Sequence, residues 1–418
     1  MKRRFLAIFV CMAVLLASFT GCYSPQENAP SVPTAPTQAA QTESGSSAEE
    51  PVEIKTYPLP EENVQADRIY APSPSTGGFW TCAVFNAKTI QAYDPATKTA
   101  YFPCYQAGCK HNDASCTANF GGVISGLAEY RGNFYAMVYY NNETASAFVT
   151  RPVSGGPLQI LASWEPENEN EECRCGFYGL SFGKAYLTVS KETYATEDGQ
   201  AVAVKEEYSK CSLDLETGEL VEYMTDEDGY LPYMHGVWGD VAVFQDWYAD
   251  RPDGTPVKRD GSEDYNFRLY SKNLRTGEEK TIVDVTENFV WTADPHVSWG
   301  QYTVYQVDRS VYVYDMETQT SKKLFTHEPG WDFYNYMIQD GHVMVIGGTE
   351  DTCRAWAIDV TDGSVIELDT LGGDVMPFSA HYECNGYFVG LPYDSNNGDQ
   401  YYISKKDYYR SNYDAAFR

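Results

Sequence analysis

The sequence predicts an all-β fold, a β-propeller of four-stranded blades, seven in number, with six and eight as the neighbouring counts. Three observations lead there. A short strand–turn–strand unit of the form aromatic-x-x-Asp-x-x-Thr-Gly recurs along the chain. Aromatic residues make up 15 % of it (34 Tyr, 19 Phe and 8 Trp), and such side chains suit half-buried pleated surfaces. Almost no stretch carries an amphipathic helical period.

The clear copies of the unit are IQAYDPATKTAYF, CSLDLETGELVEY, LYSKNLRTGEEKTI, VYVYDMETQTSKKLF and WAIDVTDGSVIEL, with weaker ones in FVTRPVSGGPLQIL and YYISKKDYY. A second turn precedes each of the six units after IQAYDPATKTAYF, in YRGNFY, SFGKAY, VWGDVAV, SWGQYTVY, QDGHVMV and ECNGYFV. Gly beside Asp or Asn is what a tight hairpin needs, because Gly accepts positive φ. The spacing of about 43–60 residues approaches that of a propeller blade. A single such sheet cannot bury both faces, so copies stack and share a core.

Upstream of the repeats the chain has a different character. Residues 1–21 read as a secretory signal: Lys2, Arg3 and Arg4, an apolar run too short for a lasting span, then Thr20-Gly21-Cys22. This stretch resembles the lipobox of exported bacterial lipoproteins, with Phe19 where Leu is usual. The resemblance implies that Cys22 is acylated and that the protein sits at the outer face of the cytoplasmic membrane, in the cell envelope. Residues 22–57 are rich in Pro, Ser, Thr, Ala, Gln and Glu and poor in apolar anchors. Such a segment cannot offset its ordering entropy and is expected to be a disordered tether. Residues 58–418 are then one propeller domain, long enough to bury a sizeable core. Polar insertions at NNETAS, EPENENEE, TYATEDGQAV and YADRPDGTPVKRDGSEDYN are expected as rim loops.

The formal net charge is −29. Losing Lys2, Arg3 and Arg4 with the signal takes it from −29 to −32. That field disfavours nucleic acid and anionic headgroups as partners.

The repeat turns resemble those of TolB-like and quinoprotein-like exported propellers. Quinoprotein blades usually carry a docking Trp after the Thr-Gly turn. Here Tyr223 lies near that place in one copy and no copy has Trp, which speaks against a quinone cofactor. A narrower resemblance lies in AYFPCYQAGCKHNDASCTANF, residues 100–120. It is similar to a first-blade signature of uncharacterised Firmicutes lipoproteins. That likeness implies fold and location, and brings no activity with it.

Within that stretch Cys104, Cys109, His111 and Cys116 form C-x4-C-x-H-x4-C. Three thiols and an imidazole suit a structural zinc with its coordination sphere closed. A disulfide among the three cysteines, or neither, are the other readings. Cys173 and Cys175 share a strand face and are candidates to pair with Cys211 or Cys82. Cys353 and Cys384 are candidates to bridge two late blades. Nine cysteines remain once Cys11 and Cys22 are set aside, so they cannot all pair within the chain.

Residues 179–183 match G-x-S-x-G, but strand follows rather than helix, so Ser181 reads as a turn residue and not a nucleophile. The six histidines (His111, His235, His296, His327, His342 and His381) show no metalloprotease spacing. His235, His342 and His381 lie near strands expected to line the central channel. Residues 253–264 lack the ligand order of a calcium loop. No catalytic residue is assigned. These features favour an envelope-tethered binding or scaffold module for a protein, peptide or glycan. A polysaccharide lyase or hydrolase working in the channel is the alternative.

Overall fold

The computed structural model describes residues 54–67, 71–73, 78–82, 88–111, 115–140, 143–197, 200–226, 231–248, 258–259, 262–263, 266–285, 297–307, 309–328, 332–349, 352–370, 376–384, 386–392 and 401–418. The signal and lipid-acceptor assignments at residues 1–22, and His296, lie outside them. So does most of the tether.

Seven antiparallel blade sheets follow one another along the chain, as the repeat predicts, and an eighth, two-stranded sheet pairs Lys258–Arg259 with Ser262–Glu263 inside the blade 4 insertion. Blade 1 starts at Ala71–Pro72 and ends at Thr99–Tyr101; blade 2 runs from Val123–Tyr130 to Gln159–Trp164. Blade 3 runs from Glu171–Ser181 to Leu220–Asp226, and blade 4 from Tyr233–Trp238 to Glu279–Val285. Blade 5 spans Ser298–Trp299 to Thr320–Thr326, blade 6 Asp332–Gln339 to Val365–Leu368, and blade 7 Phe378–Cys384 to Tyr401–Ser404. Strand order within each blade is sequential. The described residues contain one α-helix, the five-residue Lys405–Tyr409, so no helix there is long and apolar enough to cross a membrane.

Each recognised unit except YYISKKDYY, which is the last described strand of blade 7 and the helix after it, falls on the third-to-fourth strand turn of its blade, and the reason is visible at atomic level. The Asp214 carboxylate accepts from the backbone N–H of Glu216 (3.0 Å) and Thr217 (2.8 Å). Asn273, Asp315 and Asp359 do the same in blades 4, 5 and 6. The side chain thus replaces a backbone acceptor and fixes the turn. The next turn position is left-handed: Gly218, Gly277 and Gly363 have φ of 74°, 76° and 81°. Where the sequence drops the Gly, Lys98 and Gln319 take the same conformation at φ 54° and 53°.

Three features depart from the expected plan. TYATEDGQAV is not a rim loop. It continues the ladder between Lys184–Glu197 and Gln200–Asp214 out to Glu197↔Gln200, making the longest hairpin described. Blade 7 has three strands among the described residues, and Tyr402 of its last strand bridges Phe417 near the C-terminus.

The third departure concerns residues 54–67. The tether was expected to run to residue 57, yet Tyr57 is already seated on blade 6. Its N–H donates to Asp340 Oδ1 (2.6 Å) and its hydroxyl to Asp359 Oδ2 (2.6 Å). Gly341 has φ 65°, and a Cβ there would lie 2.7 Å from the Tyr57 ring. The segment then crosses the inner strands. Asn63–Gln65 pairs with Gly179–Ser181 of blade 3. The Asn63 amide donates to Val237 O of blade 4, and Gln65 Nε2 to Ser298 O of blade 5 at 2.8 Å. Asp67 bridges Leu127 of blade 2. This strap has no repeat motif of its own; its order comes from partners far away in sequence.

Candidate metal centre and central cavity

The connection from blade 1 to blade 2, residues 102–122, is tied back along blade 1. Ile90 N–H donates to Ala118 O (3.0 Å) and Phe120 N–H to Lys88 O (2.8 Å). Cys116, Ala118 and Phe120 are buried in the apolar core between the two blades, with Phe102, Cys104 and Cys109 packed against it.

The fold brings all four sequence-predicted ligands together. Sγ of Cys104, Cys109 and Cys116 and a ring nitrogen of His111 lie within 4.8 Å of one another. His111 Nδ1 is 3.4 Å from Cys116 Sγ, close to the edge of about 3.6 Å that a tetrahedron with zinc–ligand bonds of 2.0–2.3 Å would have. The structure draws no disulfide among the three cysteines. Backbone N–H groups point at sulfur: His111 to Cys109 and Ala118 to Cys116, both at 3.4 Å. His111 adopts φ 59°, and its ring stacks on Phe102 with centroids 4.3 Å apart. Burial pushes the Cys116 thiol up, while hydrogen bonds from Gln106 and Thr117 outweigh burial and bring Cys104 down.

Arg151 of blade 2 completes the surroundings. It is buried, donates to Asn119 O (3.0 Å) and to Thr117 O, and lies close enough to Cys104 and Cys116 to feel their charge. A tetrahedral Cys3His site with a divalent ion carries one net negative charge, which this guanidinium offsets.

Among the described residues the other cysteines do not form a second cluster. Cys173, Cys175, Cys211 and Cys384 are buried free thiols. Neither the pairing considered for Cys173 or Cys175 with Cys211 nor a Cys353–Cys384 bridge is present. Burial raises all four thiol pKa values, as expected of apolar packing rather than reactivity. The side chains of Cys82 and Cys353 lie outside the description. Ser181 is a fully buried hairpin residue whose Oγ accepts from Gly239 N–H (3.0 Å), so no nucleophile stands there.

A cavity of about 400 Å³ lies between the strap and the inner strands of blades 3 to 7. Its lining includes His235, Gln339, Trp299 and Glu383. Three of them have a buried polar atom with no hydrogen-bond partner among the described residues: His235 Nδ1, Gln339 Oε1 and Trp299 Nε1. His235 Nε2 is held at 2.6 Å by Gln245 Oε1. Burial lowers the His235 pKa to about 4, so the ring is neutral.

Glu383 belongs to a buried charge group. Lys405 Nζ lies 2.8 Å from Asp340 Oδ1 and 3.0 Å from Glu383 Oε2, and Tyr409 OH donates to Asp340 Oδ2 (3.0 Å). Burial raises both carboxyl groups, because one ammonium cannot satisfy two buried carboxylates. Attraction to both outweighs burial at Lys405 and raises it too. The channel histidines do not converge. His235 faces the cavity, His342 is bound up with Asp340 O and Tyr409, and His381 offers its backbone oxygen to Gln339. His327 Nδ1 contacts Glu328 O elsewhere.

No family model matches the chain, and no curated protein matches it. Among solved structures, the Porphyromonas gingivalis dipeptidyl peptidase 4 shares 10 % identity over 82 % of this chain and 59 % of its own, with a TM-score of 0.43. The chain therefore spans less than two thirds of that peptidase. The β-propeller domain of the Trilobed protease from Pyrococcus furiosus, described as having an open velcro topology, shares 9 % identity over 82 % of this chain and 94 % of its own, TM-score 0.39. TolB from Acinetobacter baumannii shares 11 % over 76 % and 66 %, TM-score 0.29.

Proposed function

We propose that the protein is an extracytoplasmic lipoprotein, anchored in the cell envelope through acylated Cys22, whose seven-bladed propeller is a binding or scaffold module for an envelope protein, peptide or glycan. The observation that carries this reading is the cavity of about 400 Å³ whose lining holds three buried polar atoms, His235 Nδ1, Gln339 Oε1 and Trp299 Nε1, unpartnered among the described residues. Buried polar groups are normally satisfied, so a site that collects unsatisfied ones at a channel is built to meet a ligand. A polysaccharide-cleaving role finds less support. The buried carboxyl group at the cavity, Glu383, is engaged by Lys405, and Ser181 is a hairpin residue.

The test is a pull-down from envelope extracts with the chain lacking its first 22 residues, run beside Glu383→Gln. A stoichiometric envelope component held by the wild type and lost from the variant is expected. Retention of nothing, or equal retention by both, would overturn the binding role of this cavity.

The same reading includes one structural zinc on Cys104, Cys109, His111 and Cys116. With all four positions filled by protein the ion would staple the blade 1–blade 2 connection and leave no open coordination site. Elemental analysis of the purified protein is expected to find about one zinc per chain, lost in Cys116→Ser. Metal-free protein in which two of these cysteines are oxidised to each other would sink the assignment.

A further inference from the structure

We propose that the central cavity takes an organic cation bearing N–H donors, an ammonium or amidinium group on an apolar body. The inference rests on the binding role of the cavity and names the chemistry of its ligand. Three independent features of the lining lead to it.

The first is the sign of the charge. Among the described lining residues Glu61, Asp67 and Glu383 are acidic, and none is Lys or Arg. Behind the wall, Lys405 sits between two carboxyl groups, so that group carries one carboxyl group more than it has cations. An anionic ligand is repelled. A neutral polyol leaves the extra carboxylate uncompensated.

The second is the polarity of the orphan atoms. Gln245 Oε1 accepts from His235 Nε2, which leaves Nδ1 of that neutral ring as a lone-pair acceptor. Gln339 uses its amide N–H on His381 O (2.9 Å) and keeps Oε1 without a partner. His235 is 5 % exposed and Gln339 is 3 % exposed. These are two orphan acceptors, against one orphan donor at Trp299 Nε1, and the Glu383 carboxyl group, paired with Lys405, lines the same space. A ligand that supplies several N–H groups satisfies them.

The third is the wall. Phe177, Tyr178, Tyr233, Trp299 and Tyr382 line the same space. Aromatic faces attract cations most strongly where water is excluded. A quaternary ammonium would use the rings but leave the acceptors unmet, which points to a group that still carries hydrogens.

The source of that group is either a free small amine or the Lys or Arg side chain of a peptide, and the arms of one experiment separate them. Calorimetric titrations of the full-length mature protein would use benzamidine, its neutral isostere benzamide, and an acetylated, amidated Gly-Arg-Gly peptide. Benzamidine is expected to bind saturably and at least about tenfold more tightly than benzamide. The margin is expected to shrink in Glu383→Gln. Tyr233→Leu, which removes a half-exposed ring and leaves the buried ion group intact, is expected to weaken benzamidine several-fold. A peptide that binds more tightly than benzamidine assigns the source to a side chain; a peptide that fails assigns it to a small molecule. Benzamide binding as tightly as benzamidine, or no saturable binding of either cation, overturns the cation. In that event an envelope component still captured by the wild type and lost from Glu383→Gln leaves the binding role standing.

Discussion

His235 shows how a single side chain links stability to the cavity. It is buried on the inner strand Tyr233–Trp238, donates through Nε2 to Gln245, and has a pKa lowered from 6.5 to about 4 by burial. Below pH 6.5 the unfolded chain takes up a proton that the folded ring refuses. Stability is therefore full above about pH 7 and falls as pH drops from 6.5 toward 4, by about 3 kcal/mol for the group as a whole. His342, whose pKa burial also lowers, acts in the same direction, while the raised Asp340 and Glu383 act in the opposite one. All three are common to wild type and to His235→Gln, so the difference between the two proteins isolates the histidine. Urea midpoints measured from pH 7.5 to 4.5 are expected to fall more steeply for wild type. Parallel curves would show that His235 is protonated in the folded state or reaches water. The cluster of Cys104, Cys109, His111 and Cys116 was legible in the sequence as a group because the four side chains stand close together along one stretch of chain. His235 was not, because nothing in YMHGVW tells an inward ring from a surface one.

At the scale of elements, legibility follows where each element finds its partners. The blade turns could be read because Asp214, Asp315 and Asp359 bond to N–H groups two and three residues on. The information that fixes them is local. The long hairpin through TYATEDGQAV was taken for a loop because its polar residues mask a ladder whose outer part has little to bury. The strap was missed for the opposite reason. Tyr57, Asn63 and Gln65 bond to residues 283, 174 and 233 positions away, and a Pro-rich run with one tyrosine has no period that announces such contacts. Gly179 was read only as part of a hairpin. Its second role is to let the strap approach, since a Cβ there would lie 2.4 Å from Val64 O. The cavity inherits this illegibility, because the strap is one of its walls.

The whole molecule poses the problem of closing a ring. Every strand described in blade 1 comes from residues 71–101 and every one in blade 7 from residues 378–404, so among the described residues neither blade lends the other a strand. Closure falls to side chains. Phe79 and Tyr93 of blade 1 pack with Cys384, Val389 and Tyr402 of blade 7. The Tyr93 and Tyr402 rings stack with centroids 4.4 Å apart, and Lys98 sits 4.1 Å above the Phe417 ring. Offset stacking and apolar burial supply this seam where other interfaces would share a ladder. Tyr402→Ala removes the ring that touches Phe79, Tyr93 and Phe417 together, and truncating a buried aromatic side chain costs about 3–5 kcal/mol. Because the seam has two sides, the loss should not stay in blade 7. Hydrogen exchange is expected to quicken in Phe79–Cys82 of blade 1 as well as in Tyr387–Pro392 of blade 7, with blades 3 to 5 protected as before. Faster exchange confined to blade 7 would mean that the ring stays shut without the seam, held by the strap that runs from Tyr57 on blade 6 to Asp67 on blade 2.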